Sequence, residues 1–144
     1  MSSDAFVHRL VVRFHEIDRA GIAYFTRAYE YCHAAFEEML VAALGVDLER
    51  FFSESAWMMP LVHSEADYAA PMRISDRLVV ELRVERLGAS SITFAYRITG
   101  EDGVARAQLR LVHACISRAD FRKRPLPESL VEGLKRLGLV GDDD

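Results

Sequence analysis

From Tyr24 to Leu44 the chain carries neither Gly nor Pro, and apolar side chains recur three and four residues apart at Ala28, Tyr31, Cys32, Ala35, Phe36, Met39, Leu40, Ala43 and Leu44. That period predicts a long helix with one buried face. Glu30 falls in its first turn, where a negative charge suits the helix dipole, and Gly45 follows the last apolar pair as the residue that ends it. Before the helix, Leu10, Val12 and Phe14 alternate with Arg9, Val11 and Arg13, which predicts a strand over Phe6–Phe14. Between strand and helix, Asp18-Arg19-Ala20-Gly21 reads as a turn in which Gly21 is free to take a positive φ. An acid is thus set beside a helix start, whose first backbone N–H groups have no partners within the helix.

Beyond the helix, Gly45–Ser55 reads as a connector folded back through Leu48, Phe51 and Phe52. Trp57–Ser64 predicts a short strand weakened by Pro60, and Glu65–Ala70 a further strand ended by Pro71. The period of two is then clear, broken at Gly88. Arg77–Leu87 places Leu78, Val80, Leu82 and Val84 on one side, and Ser91–Thr99 does the same with Ile92, Phe94, Tyr96 and Ile98. Gly100-Glu101-Asp102-Gly103 supplies a hairpin turn into a third long strand, Val104–Ser117. Leu130, Val131, Leu134 and Leu137 predict a short helix within Pro127–Leu139, and the closing GDDD reads as a solvated tail. Three consecutive long strands need cover for one apolar face, and only the first helix is long and apolar enough. The fold class expected is therefore α+β, an antiparallel sheet curled around one central helix.

Composition narrows the class. The 144 residues, 51% hydrophobic and 28% charged, suffice for one packed core and read as a single domain over 1–144. Eighteen basic against twenty-two acidic residues, a net charge of −4, argue against nucleic-acid binding. No apolar run reaches the roughly 20 residues of a membrane span, and MSSDAF lacks the pattern of a signal peptide, so a cytoplasmic protein is expected. Cys32 and Cys115 are far apart and outside any CxxC pair, which gives no support to a disulfide framework. His15, His33 and His63 form no HxH or HxxxH pair, so no metal site is expected either.

Several stretches carry a family resemblance. The order of strand, acid turn, long helix and consecutive strands, with HEIDRAGIAYFTRAYEYCHAAFEEML, resembles the hotdog-fold acyl-CoA thioesterases of the 4-hydroxybenzoyl-CoA thioesterase type. In that family an acid, any residue, a catalytic Asp, two residues and Gly follow an aromatic strand end. Here these are Glu16, Ile17, Asp18, Arg19, Ala20 and Gly21. Three blocks, YFTRAYEYCHAAFEEML, MMPLVHSEADYAAPMRISDRLVVEL and ARAQLRLVHACI followed by RKRPLP, are most similar to the 1,4-dihydroxy-2-naphthoyl-CoA thioesterases of quinone biosynthesis. Related short-chain thioesterases usually carry a His seven residues beyond the Asp. Phe25 stands there instead, which implies a more apolar, aromatic acyl pocket.

The resemblance implies thioester hydrolysis with Asp18 as nucleophile or general base and the backbone N–H of Phe25, helped by Thr26, as the oxyanion donor. Read from the residues alone, Asp18 is more readily a turn-forming or helix-capping Asp. Gly21 would let substrate approach the backbone, Tyr24 would line the mouth, and His63 would reach the acyl pocket or else be a part-buried edge histidine. Glu16 reads as solvated or paired, and Glu37, four residues from His33 on the helix, is the substitute acid if Asp18 fails. Arg118, Arg122 and Lys123, with Arg124, would meet the phosphates of coenzyme A or form a solvated loop. No cofactor is expected beyond the coenzyme A of the substrate. Hotdog enzymes share active sites between chains, so a homodimer or homotetramer is implied. The other functions left open are a short-chain or carrier-protein-bound acyl thioesterase, and a non-catalytic acyl-CoA-binding protein.

Overall fold

The computed structural model describes residues 4–141; the last residues of the expected solvated tail lie outside them. Five strands form one antiparallel sheet in the order β1 (Phe6–Val11), β4 (Arg77–Leu87), β5 (Ser91–Gly100), β6 (Ala105–Ala114), β3 (Leu61–Tyr68). Helix α1 (Arg27–Leu44) covers its apolar face. Leu78, Val80, Leu82 and Val84 of β4 meet Ile92, Phe94, Tyr96 and Ile98 of β5, all at most 3% exposed. Against them α1 sets Ala28, Cys32, Ala35 and Met39, each fully buried. At roughly 1.5–3 kcal/mol for each large apolar side chain taken out of water, this layer supplies the main driving force for folding. Both cysteines are buried and free.

The irregular parts depart from the periodicity. The first strand ends at Val11, and Phe14, expected on its apolar face, is 81% exposed in a 3₁₀ turn, Phe14–Glu16. Val12 still bonds to Ser75 and Asp76, but the Glu16 carboxylate takes the Arg13 N–H and turns the chain off the sheet edge. Helix α1 begins at Arg27, three residues later than the pattern suggested. The expected connector holds a helix, α2 (Leu48–Glu54), started by the Asp47 side chain, which accepts the Glu49 N–H. Phe51 of α2 packs on Trp57, whereas Phe52 stays 61% exposed.

Pro60 divides the next stretch into β2 (Trp57–Met58) and β3, so the strands expected over Trp57–Ser64 and Glu65–Ala70 are redistributed. The third long strand likewise ends at Ala114, and β7 (Ile116–Ser117) pairs with β2. Helix α3 (Glu128–Arg136) closes the far end of α1. Strand β3 is one of the sheet's two edges, and nearly all its residues are exposed.

Candidate active site

The turn between β1 and α1 is set by short-range chemistry. The Asp18 N–H donates to Ile22 O (2.9 Å), the Gly21 N–H returns to Asp18 O (3.0 Å), and Gly21 takes φ 79°, a left-handed conformation that costs glycine little. Asp18 Oδ1 accepts the Ala20 N–H at 2.8 Å, so the turn-forming role weighed for this residue is realised. Among the described residues Oδ2 has no hydrogen-bond partner, and the residue is exposed. The loop is braced from behind: Ala23 N–H donates to Met72 O and Ile74 N–H to Gly21 O.

From this turn the chain enters the helix mouth. The Arg27 N–H donates to Tyr24 O, but among the described residues the N–H groups of Phe25 and Thr26 have no acceptor. Thr26 is the N-cap residue, in αR geometry, and its side chain makes no capping bond. These donors lie at a helix start, where the backbone dipole favours negative charge. The Tyr68 hydroxyl donates to the Phe25 carbonyl and anchors that residue to the end of β3.

Asp18, Tyr24 and Phe25 line one open cavity of about 640 Å³ with Ile22, Ala23, Tyr68 and the Ala69–Met72 segment. The rings of Tyr24 and Phe25 stand 4.7 Å apart and are each about half exposed. Tyr68 had no signal in the sequence, because its role depends on where β3 ends relative to the helix. A carboxylate oxygen and an unpaired amide N–H on one apolar cavity are the two groups an acyl transfer requires: an attacking group or base, and a donor for the developing oxyanion.

Chains of similar sequence decide the family. Residues 12–134 match the thioesterase-like superfamily. The chain belongs to that superfamily. Its enzymatic class is thioester hydrolysis, and the hotdog architecture expected from the sequence is the one observed. A 1,4-dihydroxy-2-naphthoyl-CoA hydrolase from Acaryochloris marina is 36% identical over 133 residues, which cover 90% of this chain and 95% of that one. Its counterpart from Synechococcus elongatus is 38% identical, over 87% and 91% of the two chains. The crystal structure of a 1,4-dihydroxy-2-naphthoyl-CoA thioesterase from Synechocystis superposes with a TM-score of 0.84 at 29% identity, over 91% and 96%.

Other residues expected at the site lie elsewhere. His63 does not reach the cavity: it sits exposed on β3 with Nε2 2.9 Å from Glu65 Oε1, beside the Glu65–Arg110–Glu85 ion pairs. The register slips between Leu61 and His63, and alternation beyond it places Ala66 against the core and His63 and Glu65 on the other face. The Arg118 guanidinium is engaged within the chain, donating to the carbonyls of Phe52 and Ser55 (2.6 Å each) and closing the end of α2. Arg122 and Lys123 are exposed at the turn after β7, and neither borders the Asp18 cavity.

His33 and Glu37 border a second cavity of about 330 Å³ with Phe36, Leu40, Met59 and His113. There His113 stacks on Phe36 (4.6 Å between centroids, 4° between planes), and its Nδ1 donates to the Met59 carbonyl. Burial holds both histidines below the ordinary imidazole pKa. Among the described residues no three His, Cys, Asp or Glu side chains are grouped to hold a metal ion, and no helix is long and apolar enough to cross a membrane.

Proposed function

We propose that this chain hydrolyses an aromatic acyl-CoA to the free acid and coenzyme A, with 1,4-dihydroxy-2-naphthoyl-CoA as the substrate. The observation that carries this reading is the shared cavity of Asp18 and Phe25, one offering an unpaired carboxylate oxygen and the other an unpaired amide. Its aromatic wall suits a planar ring, and relatives of 36% and 38% identity bear that substrate in their names.

In the reaction, either Asp18 adds to the thioester carbon and expels the CoA thiolate to leave a mixed anhydride that water then cleaves, or Asp18 takes a proton from a water that attacks directly. In both routes the carbonyl oxygen gains negative charge, which the Phe25 N–H stabilises; removing one such donor costs roughly 10²- to 10³-fold in rate. Arg122 and Lys123 meet the CoA phosphates as exposed charges. The protein works in the cytoplasm without a metal or further cofactor.

An exposed edge strand such as β3 invites pairing with a second copy, and Tyr24, Phe25 and Tyr68 lie exposed beside its end. The active unit is accordingly a dimer or tetramer in which a neighbouring chain completes the cavity. A panel of aryl- and alkyl-CoA thioesters, assayed by thiol release alongside light scattering, tests the reading. Aryl esters turned over at least tenfold faster by a dimer or tetramer are expected; preference for alkyl chains, or full activity from a monomer, would refute it.

A further inference from the structure

Glu16 read as a solvated or paired acid in the sequence, yet it is the most heavily engaged side chain of the turn. Its Oε1 accepts two hydrogen bonds, from the Arg13 N–H at 2.7 Å and from the Tyr31 hydroxyl at 3.1 Å. Its main-chain carbonyl accepts the Tyr24 N–H at 3.2 Å. Tyr31 lies in the second turn of α1 and is only 4% exposed. Burial, reinforced by the Glu16 carboxylate beside it, raises the pKa of its phenol, so it stays a hydrogen-bond donor throughout the working range. One residue therefore joins the end of β1, the helix mouth and the body of α1.

These ties bear on the two candidate catalytic groups. Asp18 follows Glu16 by two residues, and Phe25 follows Tyr24 by one. The bond from Tyr24 to Glu16 clamps the loop between them at its neck, while Tyr31 fixes that neck against a helix that packs on the sheet. Arg27 adds a parallel tie, donating to the His15 carbonyl at 3.2 Å and pairing with Glu30 at 2.7 Å. Glu16 does not border the cavity that Asp18 and Phe25 share. It holds the pieces without facing the substrate.

We infer that Glu16 is a positioning residue for the hydrolysis: through its side-chain bonds to Tyr31 and the Arg13 amide it fixes the neck of the loop and so sets the Asp18 carboxylate against the Phe25 N–H. This rests on the assignment of Asp18 and Phe25 above. What the role requires of Glu16 is an oxygen that accepts twice, not a charge or a proton. A glutamine amide supplies such an oxygen and alanine does not, so the two substitutions separate positioning from acid–base chemistry.

The test measures kcat and KM for thiol release from an aryl-CoA in Glu16→Gln, Glu16→Ala, Tyr31→Phe and Asp18→Asn, with circular dichroism and melting curves to confirm folding. Misplacing reacting groups by about 1 Å costs on the order of 10²-fold. Glu16→Ala is accordingly expected to lose about 10- to 100-fold in kcat with KM within about threefold, since the wall of the cavity is untouched. Glu16→Gln should stay within about threefold of wild type, and Tyr31→Phe, which removes one of the two ties, should fall between them. In the Asp18→Asn background Glu16→Ala should cost little more, because the group it positions is already disabled.

A Glu16→Gln enzyme as slow as Glu16→Ala would overturn the inference and make Glu16 a chemical participant. So would a folded Glu16→Ala or Tyr31→Phe enzyme with wild-type kcat. Should Glu16→Ala fail to fold, Tyr31→Phe and Glu16→Gln still decide the matter. Failure of the underlying assignment has a different signature, an Asp18→Asn enzyme that turns over normally whatever Glu16 does.

Discussion

The two ends of α1 are built to opposite purposes. At the C-terminal end three of the last four carbonyls are met: the Gly45 N–H, in left-handed geometry, bonds to Val41 O, and the Arg136 guanidinium donates to the carbonyls of Ala42 (2.9 Å) and Ala43 (2.8 Å). Helix α3 crosses so closely that a Cβ on Gly133 would stand 2.1 Å from the Ala43 carbonyl oxygen. At the N-terminal end no side chain caps the helix, the Phe25 and Thr26 amides are without acceptors among the described residues, and the neighbouring aromatics are half exposed. Unmet donors are a cost to stability that a closed end avoids. In the reaction proposed above, the better-satisfied end holds the helix in place while the open end binds a charge that exists only in passing.

Substitutions at the two ends should therefore separate rate from stability. The largest effect is expected at the mouth. Phe25→Pro deletes the amide hydrogen, and kcat should fall about 10²- to 10³-fold, while Phe25→Leu, which keeps that hydrogen, should lose less than about tenfold. Equal losses in the two variants would mean that the amide plays no part.

At the opposite end, Gly133→Ala forces α3 away from α1 and should cost about 1–3 kcal/mol in urea unfolding, with kcat of the folded enzyme unchanged. A wild-type midpoint would show that this crossing is not tight in solution. Arg136→Ala should lose about 1 kcal/mol in the same measurement, again without change in turnover, because two carbonyls at the helix end lose their donor.

The smallest effect expected is a pH dependence seated on β6, where His113 stacks against the middle of α1. Burial lowers the His113 pKa more than its bond to the Met59 carbonyl raises it, with His33 nearby lowering it further. The folded chain thus refuses a proton that the unfolded chain accepts. The stability contributed by neutral His113 is present above the unfolded value of about 6.5 and is lost as pH falls through the lower folded value. The melting temperature should drop further between pH 7.5 and 5.5 in wild type than in His113→Leu; equal drops would place the sensitivity elsewhere.

Much of this arrangement was legible in the residues. The alternation from Leu78 to Val84 and from Ile92 to Ile98 fixed the sheet's buried face, because those strands are central and both neighbours enforce the register. The spacing of Asp18 and Gly21 announced the turn, and the free run from Tyr24 announced the helix. Phe14 was misread because it continues the parity of Leu10 and Val12, and the event that removes it from the strand is a side-chain bond from Glu16. Helix α2 had a readable start in Asp47 before Leu48, but seven residues are too few for a periodic signal. His63 depended on a local shift of register in an edge strand, where only one neighbour fixes the pairing. Arg118 was assigned by charge alone, and its partners, Phe52 and Ser55, are sixty-odd residues away in sequence. Contacts of that kind, like those of Glu16 with Tyr31 and Tyr68 with Phe25, have no sequence pattern to betray them.

The central claim is that the Asp18 carboxylate does the chemistry at the open end of α1. Steady-state thiol release from 1,4-dihydroxy-2-naphthoyl-CoA by wild type and Asp18→Asn, with folding matched by circular dichroism, tests it most directly. Asparagine can still accept the Ala20 N–H and keep the turn, but it is a poor nucleophile and base. A loss of at least about 100-fold in kcat with the turn intact is the expected result, in line with the contribution of a positioned acid–base group. Turnover within a few-fold of wild type would contradict the account.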